Sequence, residues 1–489
     1  MEASAVRVTR EAQRLESDDR RVITRYLDFR SPRRIRSILN RIMALPDEQV
    51  ERKLSEVMNN FSARHRDIRA ALMDNYQNVA RQVRLEQAPS EPRQLLIGAY
   101  FTFEYSIESA ALFNPSIVVH PDQSGLPAGS MRFLLSLRAT GEGHVSSIVF
   151  RRGVIDTEGG ITFDPPPRYA YSTKPHPDRP FQKELFRRQL GELGAYESMD
   201  TTVLGLLPDT FSSRQLRQAV NEARRHAGTR PGFRAMAADM VWLAEANYEL
   251  SFPSDCLPAE IVIFPATEYE RQGMEDLRLV TFHHEDGTAR YCGTYTAYNG
   301  SRMLPMLLET SDFVTFHVRT LSGRYVRNKG MALFPRRVDG RYMMISRHDG
   351  ESLYLLRSDS IYTWNHARTL QRPREPWELV QIGNCGSPLE TDAGWLLLTH
   401  GVGPMRQYCI GAMLLDRDDP ARVVGRLREP LLVPSFEERE GYVPNVVYSC
   451  GSIIHNERLI IPYAMSDLAT AFATVSVPEL LGQLLHDGS

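Results

Sequence analysis

Gly394-Trp395-Leu396-Leu397-Leu398-Thr399-His400-Gly401 decides how the rest of this chain is read. A polar turn leads into a short apolar strand, and the strand ends in a hydroxyl, an imidazole and a glycine. The same pattern occurs at 131–138, 290–298, 341–347 and 458–464, and the last four copies lie roughly fifty to sixty residues apart. A second pattern runs beside it. Thr310-Ser311-Asp312-Phe313-Val314-Thr315-Phe316 returns as Arg357-Ser358-Asp359-Ser360-Ile361-Tyr362-Thr363-Trp364, 47 residues later. Strand units that recur at 40–60 residues predict a mainly β fold, a five-bladed β-propeller over 96–475, with a β-sandwich as the competing reading.

Outside these repeats the period changes. Over 1–95 the spacing predicts helices: Ile35, Ile38, Leu39, Ile42 and Met43 recur at three and four residues, as do Val50, Leu54, Val57, Met58 and Phe61. Such stripes need a partner surface, which is either the propeller or a second copy of the chain. The interval between the first two strand copies is about 100 residues too long. Residues 181–193 and 214–226 read as helices there, so a helical insertion is expected at about 155–250. Residues 476–489 read as a C-terminal tail.

Composition excludes several classes. Lys and Arg number 58 against 60 Asp and Glu, without the basic surplus of a nucleic-acid binder. No apolar run reaches membrane-span length, and the charged stretch from Met1 to Arg21 lacks a signal-peptide core. The five scattered cysteines form no Cys-x-x-Cys pair. They read as free thiols of a cytoplasmic protein, with no metal site.

Propeller sites form where strand ends converge, so polar residues at the ends of the repeated strands are the candidates. They are Arg138, Asp276, Arg347 and His400, with Asn114, Asn328, Lys329, Asn384 and Asn445 in adjoining loops. Cations and amides outnumber carboxylates in this set. Asp276 beside Arg278 suits acid/base chemistry, although a strand-end salt bridge has the same signature. Lys329, Arg347 and His400 together suit a phosphate or sulfate. No P-loop, no Gly-x-Ser-x-Gly elbow and no zinc-protease helix is present.

Six ordered segments resemble glycoside hydrolase family 130, the inverting β-mannoside phosphorylases and mannosidases. They are Asn114-Pro115-Ser116, Arg138-Ala139, Gly273-Met274-Glu275-Asp276-Leu277-Arg278, Asn328-Lys329-Gly330 through Pro335, His400-Gly401-Val402, and Gly441-Tyr442-Val443-Pro444-Asn445-Val446-Val447. The resemblance implies Asp276 as the catalytic acid. It also implies Asn114, Arg138, Glu275, Arg278, Asn328, Tyr442 and Asn445 around the sugar, and Lys329, Arg347 and His400 at or near phosphate. Leu277, Gly330 and Tyr442 depart from the family pattern, as does the segment 383–388, which lacks a basic residue.

The expected activity is inverting phosphorolysis of a β-mannoside, with inorganic phosphate as co-substrate, no cofactor, and mannose 1-phosphate as product. An inverting hydrolase is the alternative. It needs a second carboxylate about 6.5–9.5 Å from the first, for which Glu142, Glu351 and Glu390 are the candidates. A non-catalytic sugar-binding propeller is the second alternative. The expected partners are an oligosaccharide and phosphate, neither nucleic acid nor membrane, with self-association through the N-terminal helices open.

Overall fold

The computed structural model describes residues 6–487 except 84, 86, 177–179, 194–199, 228–231 and 302. The fold is mainly β with helices. Four sheets carry the body of the chain. The largest has ten strands. One half of it holds Ala111–Val119, Met131–Thr140 and Ser146–Ile155, and the other half holds Gly273–His283, Ala289–Tyr298, Met303–Thr310 and Thr315–Thr320. A single parallel pair, Gly273 with Ser146, joins the halves. Further sheets follow over 332–371, 381–426 and 447–476.

Each copy of the first sequence pattern is the second strand of an antiparallel unit. These are Met131–Thr140, Ala289–Tyr298, Tyr342–Ser346, Gly394–Val402 and Arg458–Met465. They form because each is rich in β-branched, leucyl, methionyl and aromatic residues, most of them buried on both faces. The second pattern is the turn after the third strand, where Asp312 accepts from the Val314 and Thr315 amides and Ser358 accepts from the Ser360 amide.

The N-terminal expectation needs correction. Residues 1–95 are not all helix: Val8–Leu15 and Val22–Tyr26 are strands. The first pairs antiparallel with Ala469–Ser476, more than 450 residues away, and completes the last sheet. That pairing is set by a partner at the far end of the chain, so local periodicity does not reveal it. Helices begin at Pro32, where the Ser31 hydroxyl caps the Arg34 amide. Helices Pro32–Met43, Asp47–Phe61, Ile68–Gln82 and Glu91–Tyr100 bury their stripes largely on one another, through Ile35, Leu39, Ile42, Val50, Val79 and Ile97. Leu54, Met58 and Phe61 pack on Ile68, Leu72 and Leu95. The stripes are therefore satisfied within the chain.

The insertion is helical as expected. Lys183–Leu193, Ser213–Ala227 and Phe233–Glu245 bury Phe186, Leu216, Met236 and Met240 against the ten-stranded sheet. The tail is not irregular: Val477–Asp487 is a helix that buries Leu480 and Leu484 on the last sheets. All five cysteines are free and buried.

The N-terminal strand also supplies Arg10, which grips the buried Glu438 carboxylate at 3.0 and 3.1 Å. Glu438 in turn takes Tyr463 Oη at 2.6 Å. Arg10→Ala is expected to cost about 1 kcal/mol, because Arg10 is itself partly exposed and its charge is screened. Removing residues 1–16 should cost more, since the Ala469–Ser476 strand then also loses its edge partner. Thermal melts of the two proteins check the order.

Candidate active site

Two strand irregularities build the centre of the site. On Gly273–His283, the pairing with Ala289–Tyr298 slips between Glu275 and Arg278, so two residues oppose one. On Ala111–Val119, the pairing slips in the same way between Phe113 and Ser116. The residues in the bulges, Asp276 and Asn114, both take left-handed backbone angles, with φ of 58° and 49°. Asp and Asn tolerate that region better than other L-residues, and the strain is retained where the surroundings over-determine it. Ser116 ties the two strands together, its hydroxyl accepting from the Leu279 amide at 3.0 Å. The bulges thereby face each other, and Asn114 Nδ2 donates to Asp276 Oδ1 at 2.6 Å.

Charges complete the cluster. Arg138 reaches Asp276 Oδ1 at 3.4 Å and Glu275 Oε1 at 2.7 Å. Lys329 holds the other Glu275 oxygen at 2.5 Å. Both Glu275 oxygens are thus taken by cations, and Glu275 holds the arrangement from behind. Arg278 is buried with its guanidinium occupied: Nε on Asn384 Oδ1 at 3.1 Å, Nη1 on the Asp276 carbonyl at 3.0 Å, and Nη2 on the Tyr448 hydroxyl. Burial alone would raise the Asp276 carboxyl. Arg138, Arg278 and Lys329, with the Asn114 amide, outweigh it and hold the group below the ordinary carboxylate range. At rest Asp276 is a carboxylate.

His400 and Arg347 form the other half. His400 is buried, and its Nδ1 lies 3.1 Å from the Asn384 carbonyl. A carbonyl only accepts, so Nδ1 carries the proton and Nε2 is left as an acceptor. Burial, then the charges of Arg347 and Arg278, push the imidazole well below its usual range, so it is neutral. In that tautomer the free ring nitrogen of His400 accepts rather than donates. Arg347 differs from Arg138 and Arg278. Its Nε and Nη1 are buried and make no hydrogen bond among the described residues. Asn114 Oδ1 is likewise a buried acceptor without a donor.

Six sequence candidates lie elsewhere in the arrangement. Asn328, at φ 62°, turns its own carbonyl oxygen Oδ1 onto the Lys329 amide and so shapes the loop that carries the lysine. Asn445 Oδ1 accepts from Arg439 Nε at 2.9 Å. Tyr442 is 69% exposed and stacks on His144 with ring centroids 5.5 Å apart. Glu390 is held by Arg336 and Arg417 at the surface, and Glu142 and Glu351 are exposed. None of these three is a buried carboxylate beside Asp276.

Sequence reasoning missed Asp467. It sits in the turn after Arg458–Met465 at φ 53°, within the fields of Asp276, Arg138, Arg406 and Glu275. Burial, then the like charge of Asp276, raise its carboxyl to about 6. The signal was present, since Asp467 lies just past the end of the fifth repeated strand, as Arg347 lies just past the third. Asn384 and Tyr448 were also undervalued. Their role is to hold Arg278 and His400, which depends on contacts between three separate sheets.

Comparison with known proteins gives the family. The sequence profile of glycoside hydrolase family 130, described as β-1,4-mannooligosaccharide phosphorylase, matches residues 254–485. A 1,2-β-oligomannan phosphorylase of Thermoanaerobacter sp. (strain X514) is 32% identical over 219 residues, covering 44% of this chain and 72% of that protein. A β-1,2-mannobiose phosphorylase of the same organism is 34% identical over 213 residues, covering 42% and 68%. The crystal structure of the Listeria innocua β-1,2-mannobiose phosphorylase with β-1,2-mannobiose aligns at TM-score 0.46 and 20% identity, over 78% of this chain and 93% of that one. Asn114 and Arg138 fall outside the profile match, yet the fold packs both against Asp276 within it. The chain belongs to glycoside hydrolase family 130.

Proposed function

We propose that this protein is an inverting β-mannoside phosphorylase that releases mannose 1-phosphate. The observation that carries the reading is Arg347. A guanidinium with two buried, unpaired nitrogens, beside a neutral His400 and within one cluster with Asp276, calls for an anion. In this reading phosphate is held by Arg347, and His400 Nε2 accepts from its P–OH. Lys329 spends one of its three donors on Glu275 and adds its charge to the field.

The sugar lies against Asn114 and Arg138. Phosphate attacks the anomeric carbon, the glycosidic bond breaks with inversion, and the leaving oxygen takes the proton of Asp276, directly or through a sugar hydroxyl. Asp276 must first gain that proton. Phosphate binding nearby opposes the field of the cations and raises the carboxyl toward its working range. The fold that supports this site is read as five blades, the ten-stranded sheet being two blades joined at Gly273 and Ser146. Glu275, Arg278, Asn328 and Asn445 position the residues that touch substrate, and Tyr442 lies at the rim. The protein is read as cytoplasmic, and phosphate is its only co-substrate.

Asp467 favours a second reading, an inverting hydrolase in which it activates water. Incubation with β-mannobioses, with and without phosphate, separates the two. Mannose 1-phosphate formed only with phosphate supports the first, and mannose released without phosphate overturns it.

Asp467 also sets a pH expectation. In a phosphorylase it accepts from a sugar hydroxyl when ionised, so kcat/KM for the mannoside should rise through about pH 6. Asp467→Asn should flatten that limb while phosphate dependence remains. The stability sign is opposite to that of an ordinary salt-bridged carboxylate. The folded state binds this proton more tightly than the unfolded chain, so its contribution is present below the unfolded value, about 3.9. It is lost as pH rises through about 6.

A further inference from the structure

A sizeable cleft lies away from the catalytic cluster. Its volume is about 660 Å³, within the size range of small-molecule sites. One wall is the strand Val22–Tyr26 with the start of helix Ile68–Gln82. The other is formed by 170–176 and 264–266. None of the residues assigned to the reaction lines it, and most of its lining lies outside the family match.

The charges in the cleft are engaged, with one exception. Lys174 pairs with Asp74 at 2.7 Å, and Arg66 with Glu260 at 3.0 Å. His65 meets Glu104 at 2.8 Å. Asp67 caps its helix by accepting from the Ala70 amide, and Asp28 accepts from the Arg30 amide. Arg25 is the exception. Its guanidinium lies over the Phe264 ring, 4.1 Å from the centroid, and among the described residues no carboxylate pairs with it. Burial pulls its pKa down and only Tyr105 opposes this, so no acid compensates the charge. Two shielded arginines away from the catalytic cluster do have a carboxylate: Arg21 has Glu108 at 3.2 Å, and Arg93 has Asp47 at 2.7 Å. A guanidinium stacked on an aromatic face keeps its donor edge free for a planar or tetrahedral anion.

We infer that this cleft is a second ligand site for a sugar phosphate, with the phosphate held by Arg25 and the sugar between the two walls. The body of such a ligand suits the mixed lining, in which Thr24, Ser172 and Thr173 stand beside the rings of Tyr26, Tyr171 and Phe264. The three carboxylates and three cations of the lining balance, so a ligand of low net charge fits better than a polyanion. A bound ligand would bridge the N-terminal helices and the β body. The ligand class rests on the proposed reaction, whose product is a sugar phosphate, whereas the site rests on Arg25 alone.

Titration calorimetry of the full chain with mannose 1-phosphate tests it. The intact protein should show two classes of site. Arg25→Gln should weaken one class about tenfold or more and leave turnover unchanged. Arg347→Ala should weaken the other. Ser172→Trp fills the cleft without touching Arg25 and should abolish the same class as Arg25→Gln, which keeps the test decisive if that variant fails to fold. A single class, lost in Arg347→Ala and intact in Arg25→Gln and Ser172→Trp, overturns the inference. Free mannose and inorganic phosphate are the control ligands. Mannose binding in the cleft equally well, with no effect of Arg25→Gln, also overturns it. If the protein proves not to be a phosphorylase, Arg25-dependent binding persists while phosphate-dependent turnover is absent, so the two failures are distinguishable.

Discussion

Asp276→Asn is expected to leave the fold intact and to slow turnover of β-mannosides by about 10²- to 10⁴-fold. The substitution keeps the shape of the side chain. It also keeps an oxygen that can accept from Asn114 Nδ2, the shortest contact Asp276 makes in the site. What it removes is the group that carries the proton. The left-handed backbone at residue 276 suits Asn at least as well as Asp, so the variant should melt near the parent temperature. It also removes a negative charge among Arg138, Arg278 and Lys329, so phosphate should bind no more weakly and the loss should fall on kcat. Steady-state kinetics with a β-mannobiose and phosphate check both parts. Near-parental kcat in a folded Asp276→Asn protein places the acid elsewhere.

Arg347→Ala is expected to raise the apparent KM for phosphate by roughly 10- to 100-fold, the range for losing hydrogen bonds to a charged group. The effect on stability should have the opposite sense. In the free protein two nitrogens of this guanidinium are buried without acceptors, so its removal relieves a desolvation cost. Arg347→Met, which retains much of the volume, should melt at or above the parent temperature while binding phosphate poorly. That pairing of gained stability with lost function marks a residue held for a ligand. A variant that loses stability and keeps its phosphate KM would show Arg347 to be a packing residue. A rate that never depended on phosphate would instead favour the hydrolase.

By itself the sequence determined the mainly β architecture, because the strands at 131–140, 289–298, 394–402 and 458–465 are short segments rich in apolar and β-forming residues, repeated along the chain. It determined the helices as well, since Ile35, Leu39 and Ile42 lie on one face at helical spacing. Ordered short motifs also carried Asn114, Arg138, Asp276, Lys329 and His400 into one family. Tertiary structure alone decided what those residues do to one another. The strand Val8–Leu15 depends on Ala469–Ser476, and no local pattern encodes a partner that far away. Facing bulges at Asn114 and Asp276 exist because two strands 162 residues apart meet. The His400 tautomer follows from one carbonyl of Asn384, and the charge state of Asp276 from three cations on separate strands and loops. Proton affinity and hydrogen-bond vacancy are properties of neighbours within a few ångströms, and only the folded chain sets who those neighbours are.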